Sequence, residues 1–318
     1  MSRYHHLTIF EREKILRLKS QGYSCRLIAG ALGRSVSSIS RELLRNGGDY
    51  SPHEAQQSYL ERRKRCVRPF LLQQQPELKK EVRYAIVWLW WSPEQIAHRF
   101  HLEGRLPSIS TSTIYRAVHN GCLDPALAEQ FRMGRRKQGK NKPPPRDDAL
   151  SIHKRSEAAN KRAELGHFEG DLMVMRHTKE YIFTCVDRRS RYLMSCPVAS
   201  KDAGVVSATV SRLLESVPST LRKSITFDCG SEFANMPGTA RKLGMDAYYC
   251  DPGNPGQRGT NENTNGLLRQ YFPKHSVTFP LTDESLRQFI SLLNLRPRKC
   301  LGWRSPYEIF SDQLLHLT

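Results

Sequence analysis

Three acidic residues stand where an acid needs an explanation. Asp171 is followed by Leu172, Met173 and Val174 in an apolar run, where an unpaired carboxylate is costly to bury. Asp228 comes directly after the apolar stretch Ile225–Phe227, at the carboxy end of a predicted strand, a place where α/β folds commonly put chemistry. Glu262 falls on a predicted helix after a later strand. If the first and fourth strands of the carboxy-terminal half are neighbours, the three carboxylates can meet at one edge of a sheet, and they repel one another unless cations neutralise them. Hard oxygen ligands select Mg²⁺ or Mn²⁺. Spacing alone does not single them out, because 31 of the 318 residues are acidic. Glu169, Asp187, Glu232, Asp246 and Asp251 are equally visible. Asp187 reads as a hairpin residue, and Glu169 and Asp251 as groups that could support a site from behind.

The stretch DPGNPGQRGTNENTNGLLRQYF, residues 251–272, would carry the third acid. It opens as a Pro/Gly loop and turns near Gly259 into a helix, since Leu267, Leu268 and Tyr271 recur at helical spacing. On that helix Asn261, Asn265 and Arg269 share a face, with Glu262 beside it. Together with Arg258 they are expected to hold phosphates or bases next to the acids; a solvated, capping face is the alternative.

The sheet that would carry the other two acids is predicted from short apolar runs. GHFEGDLMVMRH and EYIFTCVDRRSRYLMSCPV give three successive strands of an antiparallel meander. SITF and MDAYYC give a fourth and a fifth, with helices between and after them. The fold class is therefore α/β, a mixed five-stranded sheet with flanking helices.

The amino-terminal part is predicted to be all-α. Residues 7–45 read as three helices. Leu7, Phe10, Ile15 and Leu18 form a stripe on the first, and Ser24 and Ser35 cap the other two. Val36, Ile39 and Leu43 would face inward on the third, leaving Ser37, Ser38, Arg41 and Arg45, with Arg34 before them, facing out. Two short helices about a Gly-containing turn, the second showing hydroxyls and arginines, suit a helix-turn-helix that enters a major groove. A second helical set echoes it, with Ser92 and Pro93 opening WSPEQIAHRF and Arg116 in STSTIYRAVHNG; a packing or dimerisation module reads equally well there. RMGRRKQGKNKPPPR has almost no apolar residues and reads as a basic linker, able also to lie along phosphates. The expected domains are 1–48, 49–122, a linker over 123–160, and 161–318.

Composition points the same way. Lys and Arg number 50 against 31 Asp and Glu, a net charge of +19, most of it in the first 150 residues, and such an excess implies a polyanionic partner, nucleic acid first. Eight Cys without a CxxC pair, and with no signal peptide ahead of them, fit reduced cytoplasmic thiols and argue against a disulfide scaffold or structural zinc. Tyr84–Trp91 is far short of the ~20 residues a bilayer requires, so no membrane segment is expected.

GHFEGDL, TFDCGSEF and QRGTNENTNGLLRQYFPK resemble the three catalytic blocks of bacterial DDE transposases of the insertion-sequence-thirty family. HLTIFEREKI, SVSSISRELLRN, WSPEQIA, STIYRAV and RPRKCLGWRSPYE are similar to that family too, so the likeness spans most of the chain. Phe168 and Cys229 stand where its pattern usually has Trp and Asn. The resemblance implies a ribonuclease-H-like catalytic domain that holds two Mg²⁺ ions, with Mn²⁺ as substitute, through Asp171, Asp228 and Glu262. It also implies double-stranded DNA, terminal inverted repeats and target, as partner. Its implied activity is metal-dependent cleavage and strand transfer, by a homo-oligomer acting on the bacterial nucleoid. A catalytically inactive, transposase-derived regulator is the alternative, and a nuclease without strand transfer a third. Trp303 reads either as a DNA contact or as packing of the terminal segment.

Overall fold

Side-chain oxygens open the amino-terminal helices. Thr8 and Glu11 form a reciprocal cap on α1 (Ile9–Ser20), Ser24 starts α2 (Cys25–Leu32), and Ser35 starts α3 (Val36–Arg45). Gly33, at φ 62°, supplies the left-handed residue that ends α2. A computed structural model of the protein describes residues 5–46, 49–65, 70–130, 150–175, 180–273 and 281–315. The basic segment 132–146 lies outside the described residues.

The chain divides into two units, Met1–Phe70 and Leu71–Thr318. In the first, Ile15, Ile28, Ile39 and Ala55 meet in one core. Phe10 and Val36, expected to face inward, are 77 % and 44 % exposed. The space between α1 and α3 is filled instead by Arg12, fully buried, whose Nε donates to Glu42 at 2.6 Å. Removing one partner of such a pair strands a buried charge and costs about 3–5 kcal/mol. The expected boundary at residue 48 moves for a related reason. α4 (Pro52–Arg65) buries Ala55 in this core, and Gln56 accepts from Arg12, so α4 belongs with the first three helices.

The second unit begins with α5 (Leu71–Gln74), α6 (Pro76–Val87), α7 (Pro93–Leu102) and α8 (Thr111–His119), packed around Val82, Ile86, Ile96, Phe100 and Ile114. There follow β1 (Leu150–Ser151), α9 (Glu157–Lys161), β2 (His167–Val174), β3 (Tyr181–Asp187) and β4 (Leu193–Val198). Then come α10 (Ala203–Glu215), β5 (Ser224–Phe227), α11 (Met236–Lys242), β6 (Asp246–Tyr249), α12 (Gly259–Tyr271), α13 (Asp283–Leu295) and α14 (Pro306–Leu315). Sheet order is β1-β6-β5-β2-β3-β4. β2, β3 and β4 pair antiparallel, while β2–β5, β5–β6 and β6–β1 pair parallel. The five expected strands are thus β2 to β6, and β1 adds two residues at the edge. Side chains alternate across the sheet. Leu172, Phe183 and Phe227 pack with Val206 and Val210 of α10 and Met236 of α11, whereas Met173, Ile182 and Val186 meet α12 and α13.

Residues 296–308 join the helical set to this layer. Gln95 Nε2 donates to Pro297 O at 2.8 Å, and Arg99 reaches both Glu308 oxygens at 2.9 and 2.8 Å. Trp303 stacks on His98 with ring centroids 4.2 Å apart. Trp303 thus packs the terminal segment on α7. Among the described residues no helix is long and apolar enough to cross a membrane.

Candidate active site

Parallel pairing of β2 with β5 brings the first two acids together. The register matches Phe168 to Ile225 and Glu169 to Thr226, so Asp171 on β2 and Asp228 just past β5 lie at the same end of adjoining strands. Gly170 makes the approach possible. A Cβ there would come within 2.5 Å of the fully buried Phe227 ring, and any side chain would push β2 away from the strand that delivers Asp228.

One guanidinium bridges the two acids. Arg258 Nη1 lies 3.1 Å from Asp171 Oδ1, and its Nη2 lies 3.0 Å from Asp228 Oδ2. Nη1 also donates to Gly170 O at 2.9 Å. Burial works against the charged form, but the Asp171 and Asp228 charges more than compensate and hold the Arg258 guanidinium above its usual range. Asn265 Nδ2 donates to the other Asp171 oxygen at 2.9 Å, and Gly230 N donates to Asp228 Oδ1 at 3.1 Å. Glu262 lies three residues before Asn265 on α12 and so on the same side of the helix, one turn away.

The donor chemistry suits a divalent cation. Carboxylate oxygens face one another across a position that a positive group already fills, and the buried Asn265 Oδ1 beside them has no hydrogen-bond partner. The conformation is nevertheless not a closed ligand set. Among the described residues no three His, Cys, Asp or Glu side chains are grouped so as to hold a metal.

Behind the two aspartates a buried network fixes α12 to the sheet. Asn261 Nδ2 donates to Glu169 O at 2.7 Å and to Thr184 O at 3.2 Å, and its Oδ1 accepts from Thr184 Oγ1 at 3.1 Å. The Asn261 amide N–H donates to Glu169 Oε2 at 2.8 Å, and Arg188 pairs with Glu169 Oε1. Arg269 Nη2 donates to Val174 O at 2.8 Å. Asn261, Asn265 and Arg269, expected beside DNA, are thus bonded to the sheet. Carbonyls and acids of β2 on the face toward α12 need donors, and these side chains supply them. Arg258 too is engaged with the acids.

Glu169 is the supporting acid and is fully buried; Asp251 is instead held by His153 and Gln257. Asp187 closes the β3–β4 hairpin, accepting from the backbone N–H groups of Gly166, Arg189 and Ser190, and burial raises its carboxyl against those bonds. Arg188 was not foreseen. Its signal was an acid at position 169 on the same strand face as Asp171, which demands a cation of its own.

In the first unit Ser37, Arg41 and Arg45 are exposed and Ser38 half-buried on α3, and Ser38, Arg41 and Arg45 line a cleft with His5, His6 and Arg34. Arg34 is not presented as expected: its Nε donates to Glu11 at 2.8 Å and its Nη1 to His5 O at 2.7 Å. Glu11 is an acid in the first turn of α1, and pairing draws the arginine back against the domain.

A family described as a helix-turn-helix domain matches residues 3–46, and one described as an integrase core domain matches residues 161–255, ending before Glu262. Such a core implies use of divalent metal, and the helix-turn-helix implies DNA binding. Transposase InsI for insertion sequence element IS30A of Escherichia coli is 39% identical over 96% of this chain and 83% of its own length. The transposase for insertion sequence element IS1086 of Cupriavidus metallidurans is 33% identical, over 100% of this chain and 97% of its own. That for IS4351 of Bacteroides fragilis is 32% identical, over 96% of each. Among solved structures, the catalytic core domain of BIV integrase is similar at 18% identity and a TM-score of 0.40, over 48% of this chain and 98% of that one.

Proposed function

This chain belongs to the IS30 family of insertion-sequence transposases, and from that premise we infer how it binds, cuts and joins DNA. α2 and α3 recognise the terminal inverted repeats, with Ser37, Ser38, Arg41 and Arg45 facing the groove and α7 and α8 assisting. Asp171, Asp228 and Glu262 would hold two Mg²⁺ ions. When bound, the ions activate the attacking oxygen and stabilise the leaving one.

Each remaining task falls to the chain's own residues. Asn265 orients Asp171, Gly230 N–H orients Asp228, and the Glu169–Arg188–Asn261 network fixes α12 so that Glu262 stays one turn from Asn265. Arg258 holds the acids together before substrate enters and must swing away from them for cations to take its place. In cleavage, a water oxygen bonds to phosphorus as the P–O3′ bond breaks, freeing a 3′-hydroxyl. In joining, that 3′-oxygen bonds to a target phosphorus and the target's own 3′-oxygen departs. Bringing two ends to one target calls for at least two copies of the chain, working on DNA in the bacterial cytoplasm.

The observation that carries this assignment is the single guanidinium bridging Asp171 and Asp228. Its test is incubation of the purified chain and Asp171→Asn with labelled inverted-repeat duplex and Mg²⁺. The parent chain is expected to give nicked and joined products, and Asp171→Asn to shift the duplex in a gel without joining it. Undiminished joining by that variant removes Asp171 from the site. End binding without cleavage by the parent chain points to an inactive regulator.

A further inference from the structure

A second cluster of charge lies at the first turn of α12, apart from the aspartates. Arg162, Arg191 and Arg298 line a cavity of about 160 Å³ with Gly259, Thr260 and Cys300, and among the described residues no carboxylate lines it. At about 30 Å³ per water molecule, the space admits several waters or one tetrahedral oxyanion.

The arginines are only partly satisfied. Arg298 is 8 % exposed, yet its Nε–H has no acceptor, and the Nε–H of Arg191 has none either. Their other bonds are few: Arg298 Nη2 donates to Leu293 O at 3.2 Å, and Arg191 Nη1 to Thr260 Oγ1 at 2.6 Å. Arg162 Nη2 reaches the same hydroxyl at 3.4 Å. A buried donor without an acceptor is costly. Burial and the nearby Arg296 bring the Arg298 guanidinium down to about 10, and burial with the charges of Arg191 and Arg188 lowers Arg162 against the opposing charge of Glu169. The start of α12 adds the positive end of a thirteen-residue helix; Arg258 at its N-cap supplies no side-chain cap, and of the first-turn amides that of Asn261 is taken by Glu169.

We propose that this cavity is a phosphate site that takes a backbone phosphate of bound DNA other than the one at the carboxylates, with Arg162, Arg191 and Arg298 as its donors. Guanidinium forks match phosphate oxygens in shape as well as charge. Arg258, immediately before the same turn, reaches Asp171 and Asp228. One helix start thus separates the reacting phosphorus from a second point of grip. The identity of the ligand as DNA rests on the strand-transfer function; the presence of an anion site does not.

Cys300 provides the probe, being exposed and part of the lining. Its alkylation in the full-length chain is followed peptide by peptide in a mass spectrometer, with Cys25 of the first unit as internal control. Inorganic phosphate at constant ionic strength is expected to slow alkylation of Cys300 several-fold. Arg162→Gln and Arg191→Gln are expected to abolish that protection and to lower the rate with anionic iodoacetate relative to neutral iodoacetamide. No protection in the parent chain overturns the site. In the DNA arm, affinity for inverted-repeat duplex is measured against salt, and each variant is expected to reduce the slope of log K on log salt by about 1. An unchanged slope, with phosphate protection abolished, overturns the backbone assignment and leaves a site for a free anion. The phosphate arm involves no cleavage or joining, so its outcome is independent of whether strands are transferred.

Discussion

Helices α3 and α12 have similar make-up and opposite fates. Each sets small polar residues and arginines beside an apolar stripe. On α3 Ser37, Arg41 and Arg45 stay at the surface, and the buried Glu42 answers Arg12. On α12 Asn261 and Asn265 are buried and answer a strand, through Glu169 O, Thr184 and Asp171. The difference lies in the neighbour. α3 packs on apolar side chains and on the buried Arg12, which leave its remaining polar face to water or DNA. α12 packs on β2, which turns Glu169 and Asp171 toward it, and a polar helix face is drawn inward wherever such groups await donors.

The largest expected effect tests this division directly. Glu262→Gln removes a charge from α12 and leaves α3 untouched. Strand joining should fall on the order of a thousandfold, the equivalent of several kcal/mol of lost stabilisation, while end binding in a gel shift stays within twofold. Joining at the parent rate would show that α12 carries no reacting acid. Next is Asn261→Ala, which removes three buried side-chain hydrogen bonds and should destabilise the second unit by about 3 kcal/mol in urea unfolding. Ser37→Ala, on the exposed face, should shift stability by no more than about 0.5 kcal/mol. Equal shifts for the two would erase the contrast.

Much of this was legible beforehand because it is local. Caps at Ser24, Ser35 and Ser92, the runs that became β2 to β6, and the helix after Gly259 each depend on a few consecutive residues. The pairing of Asp171 with Asp228 could be stated only as a condition, since it needs β2 beside β5. Burial of Asn261, the bridging position of Arg258, and the withdrawal of Arg34 by Glu11 were out of reach. Each depends on a partner more than twenty residues away, and sequence periodicity reports a polar face without saying what it touches.

A smaller effect is expected from Arg45→Ala. Its side chain stands at the end of α3 and is exposed, so stability should hardly change. If the guanidinium neutralises one phosphate, its removal would lower the salt slope of DNA binding by about 0.9 and weaken all sequences alike. Loss of discrimination among sequences, with an unchanged slope, would place Arg45 on a base edge instead.

The smallest effect concerns the arginine that α3 does not present. The Arg34 hydrogen bond is the main cause holding the Glu11 carboxyl at about 2, well below its ordinary 4.5, and Thr8 adds to it while burial opposes it. A carboxyl depressed by folding contributes stability that is fully present above pH 4.5 and is lost as pH falls toward about 2. For a partly exposed pair that contribution should not exceed about 1 kcal/mol. Hydrogen exchange in the full chain, corrected for its intrinsic pH dependence, should show α1 amides losing protection across that window. Glu11→Gln should start lower and stay flat. Loss of protection in that variant over the same range would assign the acid sensitivity to another carboxylate and return Arg34 to the DNA-facing set with Arg41 and Arg45.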